Sequence, residues 1–287
     1  MSLSLKYTGL QELGPSDSVF KGNGIDIDRA RLDPNYALFF YDDWRDFPLI
    51  ATQTTQINHG KYKVFHTTAG TCVPVSTINS VELSRSVLSF NPDTDGDSGS
   101  IAQPYPSYLL SGDPATSGKL AFEARVAVNN VATNGIGWMI GLAETDQWTL
   151  ATTVPFNGSD AITNAASFIG FRSKEDQVSS AKTIDSVYSD RATSFTDIQA
   201  TIGSMTAYTF VKLGFVYDPN DTTNCIKFYV DGVLQSTVVS RSTLTGLTNL
   251  DANALGLIAA CVADSAGTSS VFYIDWWTVC QLRPGQN

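Results

Sequence analysis

Hydrophobic residues in this chain recur at every second position. In KLAFEARVAV (119–128), Leu120, Phe122, Ala124, Val126 and Val128 share one side and Glu123 and Arg125 the other, which predicts a strand with one wet face. GIGWMIGLAE (135–144) alternates glycines with large apolar residues, so that Gly137 and Gly141 leave room for a neighbouring strand. AYTFVKLGFVYD (207–218) and NCIKFYVDGVLQSTVV (224–239) predict a meander. The Asp231-Gly232 pair inside the second marks a tight hairpin, because a type I′ turn needs positive φ at both central residues. NALGLIAACVAD (253–264) supplies another strand. The closing SVFYIDWWTVCQL (270–282) is apolar on both faces, with Phe272, Ile274 and Trp276 expected on one side and Tyr273, Trp277 and Val279 on the other. Such a strand belongs inside a sheet, covered above and below.

SFIGFRSKED (167–176) and AKTIDSVYSD (181–190) read as two further strands, with a short helix expected around Phe195 to Ala200. The first 34 residues differ: GPSDS, KGNG and DIDRARLDP are polar and turn-prone. They are expected to form an extended N-terminal arm (1–34), followed by one all-β domain (35–287). Val19, Phe20, Ile25 and Ile27 are spaced to dock the arm onto another subunit. No internal repeat occurs.

Composition supports a packed core. Of 287 residues, 43% are hydrophobic and only 16% charged, far from the disordered class. No apolar run reaches the ~18 residues that a bilayer-spanning helix needs, and the N-terminus lacks the charged-then-apolar order of a secretory signal. No membrane partner is expected. Cys72, Cys225, Cys261 and Cys280 lie far apart without a C-x-x-C pair, which predicts buried free thiols in a protein made in a reducing cytoplasm. A net charge of −10 with scattered basic residues argues against a nucleic-acid partner.

Candidate chemistry is sparse. AETDQW brings Glu144 and Asp146 to a strand end, but the carboxylate pair of a retaining glycosidase would need a second glutamate where Thr149 stands. His59 and His66 are the two histidines available to a catalytic triad or metal, and both are expected at surface or turn positions. NPDTDGDSGS places Asp93, Asp95 and Asp97 at alternate positions, a weak calcium candidate: Ser98 takes the place of the glycine an EF-hand loop requires, and Pro104 that of its glutamate. Of the tryptophans, Trp138, Trp276 and Trp277 sit in apolar strands and read as core. Trp148 is the candidate exposed aromatic. No catalytic, cofactor or metal residue is singled out, no cofactor is expected, and the chain reads as no enzyme.

The order of KLAFEARVAV, IGLAE, SFIGFRSKED, the FVKLGFVYD and IKFYVDGVLQS pair and FYIDWWTV resembles the concanavalin A-like lectin/glucanase family. That resemblance implies a two-sheet antiparallel jelly-roll sandwich with the last strand central in one sheet. ALFFYDDWRDFPL and HGKYKVFHTTAG are similar to structural proteins of tailed bacteriophages. This implies a capsid decoration or cement protein on the virion exterior, a homotrimer contacting the major capsid protein. The alternative is a carbohydrate-binding or host-recognition module with a surface glycan as its ligand.

Overall fold

The computed structural model describes residues 14–47, 57–66, 70–79, 81–92, 97–131, 135–146, 162, 166–174, 182–263 and 270–286. The strands in chain order are β1 (Ala37–Asp42), β2 (Ile57–His59), β3 (Tyr62–His66), β4 (Thr71–Ile78), β5 (Val81–Asn91), β6 (Ser98–Ala102), β7 (Leu120–Val128), β8 (Ile136–Ala143), β9 (Phe168–Ser173), β10 (Lys182–Ser189), β11 (Thr196–Met205), β12 (Val211–Tyr217), β13 (Ile226–Val230), β14 (Val233–Val239), β15 (Gly256–Ala263) and β16 (Phe272–Leu282). Among the described residues three short α-helices accompany them, α1 (Ile27–Leu32), α2 (Arg241–Thr245) and α3 (Thr248–Ala252), with a 3-10 turn at Lys21–Asn23.

The strands form two antiparallel sheets. Sheet A runs β14-β13-β12-β7-β16-β5-β4, and sheet B runs β11-β10-β9-β8-β15-β6-β3-β2. The free side of β16 is shared, β5 pairing with its first residues and β1 with its last. The inner faces of both sheets meet in one apolar core that includes Trp138, Phe171, Phe215, Phe228, Phe272 and Trp277. Trp138 of sheet B stacks on Phe272 of sheet A, centroids 5.3 Å apart and planes 5° from parallel. This is the all-β class that the alternation predicts and the two-sheet sandwich that the family resemblance implies.

β16 is central and buried along its whole length, as expected. Its faces are not those of simple alternation. The register against β7 slips between Ile274 and Trp276, which makes Asp275 the extra residue of a bulge. One inserted residue exchanges the faces of everything after it. Phe272, Ile274, Trp277 and Val279 therefore share the core, while Tyr273 and Cys280 join clusters on the outer face. Trp276 turns outward and stacks with Tyr41 of β1. At the bulge the buried Asp275 forms an ion pair with Arg125 of β7.

Two other expectations change. Residues 196–205 are strand β11, not a helix, because the sheet edge at β10 offers a ladder to that segment. The apolar residues of the N-terminal segment dock within the chain itself. Val19, Phe20 and Ile25, at most 1% exposed, pack with Ala121, Val216, Tyr229, Cys280 and Leu282 on the outer face of sheet A, each burial worth ~1.5–3 kcal/mol. Ile27, partly buried, packs against the same cluster. The Asp231-Gly232 hairpin forms as predicted with φ of 49° and 75°, and Ser18 Oγ donates to Gly232 O at 2.7 Å. The four cysteines are free and buried, as their spacing suggests.

Candidate functional site

The chemistry of this molecule gathers on the outer face of sheet B. Register places Met139, Arg172 and Asp185 side by side across β8, β9 and β10. The next row is Gly141, Gly170, Val187 and Asp197 across β8 to β11. Successive residues of β9 point to opposite sides, so Ile169 and Phe171 enter the core while Phe168, Gly170 and Arg172 line the outer face.

Gly141 and Gly170 face each other in the middle of this face, both buried, with the tip of the Phe168 ring 2.9 Å from where a Cβ on Gly170 would stand. A Cβ on Gly141 would stand 2.2 Å from Ile169 O, so the strands approach too closely there for any larger residue. On one side Phe168, fully buried, and Phe195, 8% exposed, meet edge to face at 5.4 Å. On the other is Arg172, 1% exposed, whose Nη2 donates to Asp197 Oδ1 at 2.5 Å and whose Nε lies 3.6 Å from Asp185 Oδ2. Its guanidinium also lies 5.1 Å from the centre of the Phe195 ring. A guanidinium so buried is tolerable only when paired, and its planar fork suits two carboxylates. Asp185 is fixed in turn by Thr201 N, which donates to Oδ1 at 2.9 Å. Asp197, with its side chain 39% exposed, is where the cluster meets water.

Glu144 follows β8 at the Phe168 end of β9, five residues on from Met139. It is 1% exposed, accepts Arg191 Nε at 3.0 Å and Nη2 at 2.6 Å, and accepts Ser167 N at 2.8 Å. Burial pushes its carboxyl up, but the Arg191 and Ser167 hydrogen bonds outweigh burial and hold it below the ordinary carboxylate value. Arg191 adopts φ 56°, a left-handed conformation that costs a non-glycine residue of order 1–3 kcal/mol and that clusters at functional sites.

The residues singled out by sequence fare unevenly. Asp93, Asp95, Trp148 and Thr149 lie outside the described residues, as does the side chain of His59. Asp97 directly precedes β6, its carbonyl accepting Ala263 N at 2.8 Å. Among the described residues no three His, Cys, Asp or Glu side chains gather as a metal site. His66 is not a surface residue. It continues the phase of Tyr62 and Val64 on β3, opposite Gly99 and near Phe90, and is 1% exposed. Trp44, Trp138, Trp276 and Trp277 are fully buried. Arg172, Asp185, Arg191 and Asp197 escape the reading of the sequence. The available signal is phase: Arg172 follows Phe168 and Gly170 at two-residue steps, a charge where a sheet face is otherwise apolar.

No protein-family model matches the sequence, and no curated protein matches it. Solved structures do match in shape. An endo-1,3-beta-glucanase from Streptomyces sioyaensis superposes with a TM-score of 0.52 at 15% identity, covering 88% of this chain and 98% of that one. Peanut lectin, solved with a nine-residue peptide, superposes at 0.50 and 13% identity, covering 86% and 98%. The glucanase corrects the expectation that the chain is no enzyme: this architecture serves a glucanase as well as a lectin, so the lack of a second glutamate at Thr149 does not exclude catalysis. Its two packed sheets, with β16 central in one, give this chain the concanavalin A-like lectin/glucanase jelly-roll fold.

Proposed function

We propose that this protein binds carbohydrate on the outer face of sheet B, where the Arg172–Asp185–Asp197 cluster reaches water at Asp197. The observation that carries this reading is a carboxylate, Asp197, held at the surface by the buried Arg172, which is itself paired with Asp185 and seated against Phe195. Sugar hydroxyls donate to a carboxylate, and the guanidinium behind Asp197 fixes the direction in which that carboxylate accepts. Similarity in fold to a lectin and a glucanase supports the same ligand class.

Capsid decoration, with a homotrimer seated on the major capsid protein, rests on the sequence resemblance alone and gives way to carbohydrate binding. In a virion the protein would be a host-recognition subunit, and co-sedimentation with capsids is the measurement for that setting. The test of binding is calorimetric titration with a panel of neutral and acidic oligosaccharides. Asp197→Asn, at a solvent-exposed carboxylate, is expected to weaken binding about tenfold, the worth of one charged hydrogen bond. Product analysis of the same mixtures reads any cleavage. Absence of binding at millimolar sugar, or equal affinity of Asp197→Asn, overturns the proposal.

A further inference from the structure

The opposite side of the molecule holds a buried carboxylate whose cost the fold does not recover. Glu123 of β7 is fully buried on the outer face of sheet A, beneath the N-terminal segment. Its Oε2 accepts Ser16 N at 2.7 Å, while Oε1 has no hydrogen-bond partner. A buried polar atom left so is a standing penalty of about 1–3 kcal/mol, more for a charged group. Lys212 of β12, across from Arg125 in the ladder, does not pair with Glu123. Its Nζ donates instead to Gly14 O at 2.8 Å. Two charged side chains rising from the sheet thus grip the backbone at residues 14 and 16. The chain beyond Ser16 is held by Val19, Phe20 and Ile25 in the apolar cluster, Ser18 on Gly232 O, Asn23 on the Tyr229 hydroxyl, and Lys119 Nζ donating to Asn23 O at 3.0 Å.

We infer that residues 14–25 are a releasable clasp on sheet A, and that Glu123 is the proton-sensitive element that sets how readily it opens. Opening frees the carboxylate to water and uncovers Ala121, Val216 and Tyr229, an apolar surface on the side away from the candidate carbohydrate site. The charged groups around Glu123 are Lys212 on β12, Asp231 in the β13–β14 turn, and Arg125 with Asp275 further along β7 and β16. Burial raises the Glu123 carboxyl above its ordinary value, which the Ser16 hydrogen bonds and the Lys212 charge only partly offset. The closed clasp therefore holds a proton at pH values where the open one does not. Opening releases that proton, so acidification tightens the clasp and rising pH loosens it, until pH exceeds the raised value and the dependence levels off.

Amide hydrogen exchange on the full chain between pH 5 and 8, corrected for intrinsic exchange, tests this. The amides of Ser16, Val19, Phe20 and Ile25 are expected to lose protection as pH rises, by about tenfold for each pH unit that separates the closed and open carboxyl values. Amides of β8 should not follow. In Glu123→Gln the pH dependence should vanish. In Lys212→Met, which removes the nearby positive charge, the loss should extend to higher pH. Protection of the clasp that is independent of pH in the wild type, or an unchanged pH profile in Glu123→Gln, overturns the inference.

Discussion

The bulge in β16 makes a demanding prediction, because one ion pair stands at the point where the faces of the central strand exchange. Asp275 has a side chain 2% exposed and pairs with Arg125, whose side chain is 20% exposed and whose guanidinium lies 4.3 Å from the centre of the Phe210 ring. Breaking a buried pair by removing one member costs ~3–5 kcal/mol. Arg125 keeps some access to water and asparagine keeps a hydrogen-bonding group, so Asp275→Asn belongs below that range, at about 2–3 kcal/mol. Arg125→Met keeps the stem against Phe210 and removes the charge, and should cost a similar amount. The double variant loses the pair only once, so its cost falls short of the sum of the two by roughly 2 kcal/mol. Urea unfolding of all four proteins, with the slope checked for constancy, measures this coupling. Single variants that cost less than about 0.5 kcal/mol, or costs that simply add, would show that the bulge is held by packing of Trp276 and Trp277 and not by the ion pair.

Gly141→Ala should lower stability by at least about 2 kcal/mol or abolish folding, since the new Cβ meets Ile169 O at 2.2 Å and backbone cannot move aside cheaply; a wild-type melting temperature would refute the close approach. Glu144, held ionised by Arg191 and Ser167, stabilises the fold above the ordinary carboxylate value of 4.5, and that contribution disappears as pH falls through its lowered folded value. Glu144→Gln should accordingly unfold at lower urea than wild type at pH 7, with the gap closing on acidification; a gap constant down to pH 3 would count against the ion pair. Burial pushes the Cys225, Cys261 and Cys280 thiols up to about 12, and no cysteine should react with a thiol reagent at pH 8 in the folded protein, whereas all four should react in denaturant. Labelling of any of them without unfolding would place it nearer the surface.

Alternation of apolar and polar residues determined much of this protein by itself. A two-residue period is a property of a single strand, so the strands at 120–128, 211–217 and 226–230, the Asp231-Gly232 turn and the buried closing strand are all legible without knowing any partner. What escapes the sequence depends on residues distant along the chain. The faces of β16 after Asp275 turn on a bulge where Asp275 meets Arg125, 150 positions away. The N-terminal segment is polar enough to read as an arm, and only the apolar patch formed by β7, β12, β13 and β16 gives Val19, Phe20 and Ile25 a place within their own chain. Residues 196–205 become strand because β10 presents an open ladder to them. The candidate site is the clearest case: Gly141, Arg172, Asp185 and Asp197 lie on four different strands, and sheet register alone sets them side by side. Local sequence fixes which side chains share a face of one strand, but hydrogen bonding between strands decides which of those faces meet.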